Sequence, residues 1–151
     1  MVIYIGADHR GFEMKEQLKV FLQQNGWSVN DVGAKERVDG DDYVDYAKPV
    51  AEKISKDLLQ SRGILICANG VGVDITANKF PGVRSVLAMS PDHALTSRED
   101  DDTNVLSLGA DFVDLETAKK IVSVWLQTPF SEKERYKRRL EKIRQIDNTL
   151  N

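Results

Sequence analysis

A chain of 151 residues, 41% hydrophobic and 30% charged, has the balance of one well-cored folded domain and is short for two. Its net charge of −3 argues against a general nucleic-acid binder, which needs a basic face. One cysteine excludes an internal disulfide and suits a reducing compartment, and no stretch approaches the ~18 apolar residues of a membrane span. The opening Met1-Val-Ile-Tyr-Ile5 has no basic lead-in and is not expected to be a signal peptide. The expectation is a cytoplasmic protein without nucleic-acid or membrane partners.

Short apolar runs alternate with helix-patterned stretches along the chain. Residues 2–7 read as a first strand. Residues 11–25 carry Phe12, Met14, Leu18, Phe21 and Leu22 at near-helical spacing, with Gly26 as a stop. A second strand is expected at 27–32, a charged loop at 35–42, and a helix over 43–59 with Pro49 as a blemish. The third strand, 63–67, leads through a glycine turn into a helix at 71–78. A fourth strand at 83–88 precedes a helix at 91–99 with proline in its first turn. A fifth strand at 104–108, a helix at 115–127 and a highly charged helix from 131 complete the chain.

Strands spaced by helices specify an α/β fold: a three-layer, Rossmann-like αβα sandwich around a five-stranded parallel sheet, with an extended C-terminal helix. Residues 1–151 read as one domain, with 131–151 reaching towards a partner subunit. Ligands in such sheets bind beyond the carboxyl ends of the strands. That rule selects Asp8 and His9, Gly33 and its loop, 67–72, 89–92 and 109–111.

The richest of these segments is Gly63-Ile-Leu-Ile-Cys-Ala-Asn-Gly-Val-Gly-Val-Asp74. It sets the one thiol, Cys67, beside backbone N–H groups at a helix N-terminus, where anionic groups are favoured. The thiolate is the reactive form of cysteine, so a base or nucleophile and an anion pocket lie within a few residues. The plainer alternative is a small buried cysteine ending a core strand. No Gly-Lys-Ser/Thr follows, which excludes a P-loop, and no Gly-x-Gly-x-x-Gly follows the first strand, which excludes the usual dinucleotide fingerprint. A phospho-acceptor aspartate is also missing, because Cys67 occupies its place.

Asp8-His9-Arg10-Gly11 puts a carboxylate and an imidazole at the end of the first strand. The imidazole can bind phosphate or move protons near neutrality; alternatively Asp8 only caps the following helix. Arg135 and Arg139 stand four apart, on one helical face, as two forks suited to a phosphate, or as part of a solvated charged face. Glu99-Asp100-Asp101-Asp102 opposes the helix dipole at a helix C-terminus, and mutual repulsion there is expected to raise at least one carboxyl pKa. His93 lies two turns before Asp100, about 10 Å away. Adjacent acids on a helix point apart, so no metal site is expected.

With these residues in hand, the chain resembles the type B ribose-5-phosphate isomerases and the related galactose-6-phosphate isomerase subunits, nearly end to end. The resemblance is carried by Gly6-Ala-Asp-His-Arg-Gly11, Asp42-Tyr-Val-Asp-Tyr-Ala47, residues 63–79 with Gly82-Val-Arg84, and Asp102-Thr-Asn-Val-Leu106. It implies a cofactor-free aldose–ketose isomerase with Cys67 as the proton-transfer base. The loop Ala68, Asn69, Gly70, Val71 and Gly72 would hold the developing enediolate. Asp8 and His9 would line the pocket, His9 on the substrate phosphate, and Tyr43 would cover the sugar. Arg135 and Arg139 would bind the phosphate, in sites built between subunits of a homodimer or a dimer of dimers. The substrate expected is ribose 5-phosphate; the same chemistry on allose or galactose 6-phosphate and a non-catalytic sugar-phosphate binder are the alternatives.

The chain departs from the family pattern in places. Asp100 and Asp101 stand where the family usually has His-Asn, the histidine opening the sugar ring. Asp111 replaces an arginine of many relatives, Lys133-Glu134-Arg135-Tyr136 replaces glycines and a histidine, and Ala68 and Asn69 replace a glycine and a threonine. Asp100 is therefore expected to open the ring, with Asp101 beside it on the substrate and His93 in reserve.

Overall fold

The structure is a computed structural model that describes residues 1–150. Its centre is one five-stranded, all-parallel sheet of strand order β2-β1-β3-β5-β4. The strands are β1 (Val2–Ala7), β2 (Ser28–Asp31), β3 (Ser61–Cys67), β4 (Ser85–Leu87) and β5 (Val105–Gly109). The helices are α1 (Phe12–Gln24), α2 (Tyr43–Lys56), α3 (Val71–Ala77), α4 (Pro91–Asp101), α5 (Leu115–Gln127) and α6 (Glu134–Leu150). This is the three-layer α/β sandwich expected from the alternating pattern.

Alternation along β3 builds a core on each face of the sheet. Ile64 and Ile66 pack with Leu18 and Leu22 of α1, Ala94 of α4 and Ile121 and Trp125 of α5. Leu65 and Cys67 point the other way, among Val50 and Ile54 of α2 and Val73 and Ala77 of α3. Burial of β3 on both sides explains its continuous apolar run.

Several boundaries differ from the sequence reading. α2 stops at Lys56 rather than 59, because Asp57 turns the chain: its carboxylate accepts the Gln60 N–H and its carbonyl the Ser61 hydroxyl. β4 is three residues long, since Arg84 gives its N–H to the Asn104 side chain instead of a strand partner. α4 runs two residues past Glu99, and Asp102 closes it in the left-handed region at φ 45°. α6 begins at Glu134 rather than 131, since Ser131 donates its N–H and hydroxyl to the Glu99 carbonyl. Of the helix expected over 131–151, Asn151 lies outside the described residues.

The order β1-β3-β5 brings three strand ends together. Cys67 ends the central strand, Asp8 and His9 follow β1 on one side, and Gly109 ends β5 on the other.

Candidate active site

Cys67 is 3% exposed at the carboxyl end of β3. The chain leaves the strand through Ala68 and Asn69 and enters α3 at Gly70, which sits at φ 78°, a conformation open to glycine at little cost. That turn aims the Gly70 N–H back at the sulfur, 3.1 Å away. The Asn69 carboxamide oxygen takes the Val71 N–H at 3.0 Å and lies 3.9 Å from Sγ. N–H groups of the first turn of a helix have no intrahelical acceptor. The loop Ala68–Asn69–Gly70–Val71–Gly72 therefore presents backbone donors beside the thiol. It is pinned from the β5 side, where Ala110 and Asp111 donate to the carbonyls of Cys67 and Ala68, at 2.9 Å each.

Tyr43 opens α2 and lies over this loop. A Cβ built on Gly72 would sit 2.4 Å from the Tyr43 ring, so the glycine is what lets the phenol rest there. On the other side, Asp8 is 5% exposed, and its Oδ1 accepts the N–H groups of Arg10 and Gly11 at 3.0 Å each. Asp8 thus holds the turn into α1 while facing the same strand ends. His9 donates its backbone N–H to Asp41 Oδ1 at 2.9 Å and places its ring Nδ1 2.7 Å from the same oxygen. Burial pushes the Asp41 carboxyl up. Hydrogen bonds from the His9 backbone and the His9 ring, helped by the nearby Tyr46 phenol, outweigh it and hold the group below the usual carboxylate range. Arg10 and Asp111 form a two-pronged ion pair, 2.9 and 2.8 Å, joining the segments that follow β1 and β5.

Asp8, His9 and Asp41 bring ligand-type atoms within 4.8 Å of one another. Asp8 Oδ1 already serves the N–H groups of Arg10 and Gly11, and Asp41 Oδ1 already serves His9, so these oxygens are engaged within the protein.

The remaining candidates lie elsewhere. α4 runs back along the sheet, so Asp100 and Asp101 sit near the amino ends of β4 and β5. Val105 pairs with Gly63 there, and the rise from Gly63 to Cys67 is about 13 Å. Asp100, Asp101, His93 and Arg84 line a cavity of about 470 Å³. Loss of water around its carboxyl and the neighbouring Asp100 push the Asp101 pKa up, against Arg139 and Arg84, which pull it down. The carboxyl repulsion expected from the four-acid run thus appears at Asp101. Arg135 and Arg139 flank the buried Tyr136 ring, with guanidinium carbons 4.6 and 5.6 Å from its centre, and Arg135 also donates to the Tyr136 hydroxyl. One chain therefore assembles Cys67, Asp8, His9, Tyr43 and residues 68–72 at one end of the sheet. It gathers Asp100, Asp101, Arg135 and Arg139 at the other.

Sequence reasoning missed Asp41, Arg10 with Asp111, and the partners of Asp102. That carboxylate is the structural member of the acidic run, bonded to Arg84 at 2.9 Å and to the buried Arg98 at 2.6 Å. The only sequence signal for Asp41 was its place in an acid-rich loop, 32 residues from the histidine it holds.

Residues 3–143 match the family model described as Ribose/Galactose Isomerase. The chain is 41% identical to ribose-5-phosphate isomerase B of Escherichia coli over 99% of this chain and 98% of that one. It is also 41% identical to a probable ribose-5-phosphate isomerase B of Mycoplasma pneumoniae, over 93% and 91%. Among solved structures it is similar to ribose-5-phosphate isomerase B of Clostridium thermocellum, with a TM-score of 0.94, 37% identity and full coverage of both chains. The Mycoplasma genitalium enzyme with bound ribulose 5-phosphate gives a TM-score of 0.94 and 37% identity over 97% and 96% of the two chains. The family model spans residues 3–143, and the chain belongs to the Ribose/Galactose Isomerase family.

Proposed function

We propose that the protein interconverts ribose 5-phosphate and ribulose 5-phosphate without a cofactor, using Cys67 as the base. The observation that carries this reading is the sulfur itself. It ends the central strand, receives the Gly70 N–H at 3.1 Å and shares the strand ends with Asp8 and His9. The names of the similar proteins supply the pentose phosphate.

The reaction moves one proton from C2 of the open-chain aldose to C1 and transfers the hydroxyl proton from O2 to O1; no electrons leave the molecule. The Cys67 thiolate takes the C2 proton, and the electron pair spreads to O1 as an enediolate. Backbone N–H groups of the 68–72 loop offset that charge. The enediolate is planar, so the same thiol returns its proton at C1. Tyr43 covers the sugar, and His9 holds the phosphate, whose binding energy orients the carbons.

Ring opening and the far side of the phosphate fall to Asp100, Asp101, Arg135 and Arg139, contributed by a second copy of the chain. Their position at the opposite end of the sheet supports a homodimer with shared sites over a one-chain site.

A Cys67→Ala variant tests the base. Turnover of ribose 5-phosphate is expected to fall at least about a thousandfold, as when a reacting group is removed, while the sugar phosphate still binds. Wild-type turnover in that variant would reject the assignment. The enediolate is read separately: in deuterated water the ketose should gain deuterium at C1. A panel of pentose and hexose phosphates should give the highest kcat/KM with ribose 5-phosphate.

A further inference from the structure

We propose that Asp41 is a positioning residue for His9, fixing which ring nitrogen is offered to the substrate; the proposal deepens the reading above and rests on it only for the identity of the ligand. Asp41 belongs to the loop between β2 and α2, and its side chain is 9% exposed against 22% for His9. One oxygen, Oδ1, receives both the His9 backbone N–H at 2.9 Å and the ring Nδ1 at 2.7 Å. An ionised carboxylate has only lone pairs to give, so a contact of this length requires the proton on Nδ1. Ligand bonding then falls to Nε2. Two bonds from one oxygen also fix the ring relative to its own backbone, which leaves χ1 and χ2 little freedom.

The clamp is anchored at both ends. On the histidine side, Asp8 Oδ1 grips the Arg10 and Gly11 N–H groups and fixes the turn that carries His9. On the loop side, the fully buried Lys15 donates to Asp31 at 2.6 Å and to the Ala34 carbonyl at 2.8 Å, and Asp31 Oδ1 takes the Gly33 N–H. The root of the loop is thereby tied to α1. Charged or titratable groups beside His9 include Asp8, its chain neighbour Arg10, Asp41 and, next to Asp41, Tyr46. Asp41 is the one that meets the ring. A histidine that must orient a phosphate beside a proton-transfer centre gains from this arrangement, because a misplacement of about 1 Å at such a site costs up to about a hundredfold in rate.

The chain has two histidines, so nitrogen-15 spectra of the imidazoles in the wild type and in His93→Asn assign His9 directly. The neutral ring of His9 is expected as the Nδ1–H tautomer. Asp41→Ala should abolish that preference and raise KM for ribose 5-phosphate roughly tenfold, with a smaller change in kcat. Asp41→Asn keeps an acceptor oxygen and should restore most of both. An Nε2–H tautomer in the wild type overturns the proposal, as does an Asp41→Ala protein with an unchanged ring spectrum and unchanged KM. Should the wild type convert none of the sugar phosphates, the functional reading fails while the ring spectrum still decides the role of Asp41.

Discussion

Tyr43 touches the loop only because residue 72 lacks a side chain. A methyl group there would meet the phenol ring at 2.4 to 2.8 Å, and the ring would have to leave. Helix propensity favours alanine over glycine by up to about 1 kcal/mol. Gly72→Ala is therefore expected to leave the melting temperature level or slightly raised while kcat/KM falls roughly tenfold, by analogy with other small misplacements at a reacting centre. Thermal melts and steady-state kinetics on one preparation check both halves. At this scale legibility followed contiguity. Cys67, its glycine loop and the Asp8-His9 pair were readable because each group lies within a few residues. Asp41 and His9, or Arg10 and Asp111, meet across 32 and 101 residues, and nothing in either segment names its partner.

Among the elements, α1 and β2 are joined by a charge cluster, buried at Lys15 and open to solvent at Glu16. Lys15 and Lys19 both donate to Asp31 Oδ2 at 2.6 Å and to Glu16 at 2.8 Å. Burial raises the Asp31 and Glu16 carboxyls, but the two lysines, and for Asp31 the Gly33 N–H, outweigh it and hold both below their ordinary range. Carboxylates depressed in the fold add stability above their unfolded pKa of about 4, and that contribution is lost as the pH falls through their folded values. The melting temperature should therefore drop as the pH is lowered from about 4. Asp31→Asn should be less stable at neutral pH by about 3 kcal/mol or more, since it leaves a buried lysine short of its counter-charge, and should show a shallower acid loss. Urea unfolding across pH measures both. Element types were legible from period alone, whereas ends were not. α2, β4 and α6 stop or start where side chains such as Asp57, Asn104 and Ser131 capture backbone groups, and such captures depend on tertiary neighbours.

For the whole molecule, parallel pairing decides which groups share an end. Every strand points the same way and the helices between strands, α1 to α4, return, so residues after strands and residues after those helices collect on opposite rims of the sheet. Cys67 stands on one rim and the Asp100–Asp101 corner with Arg139 on the other. A shared site then predicts complementation. Cys67→Ala and Arg139→Ala chains, each expected to be nearly inactive, should regain about a quarter of wild-type activity per site when unfolded together and refolded as mixed dimers, the share expected if chains pair at random and dimers are symmetric. Mixtures no more active than their components would leave each chain with a self-contained site. The fold class was fully legible at this scale. The separation of the candidate residues onto two rims was not legible from the pattern, which records which residues carry chemistry and not which edge they reach; sites shared between subunits entered only as what the resemblance implied.

The two-faced core of β3 has one more consequence, for how the chain tolerates changes in length. Cys67 shares its face with Leu65, and Ile64 and Ile66 take the other. Removing or adding a single residue within 61–66 reverses that parity and delivers the sulfur beneath α1 and α5, sealed from the loop that follows it. Substitutions along the strand can weaken packing by degrees. A frame slip of one has no graded version, so the location of the thiol is an odd-or-even property of the strand, indifferent to how well the surrounding core is filled.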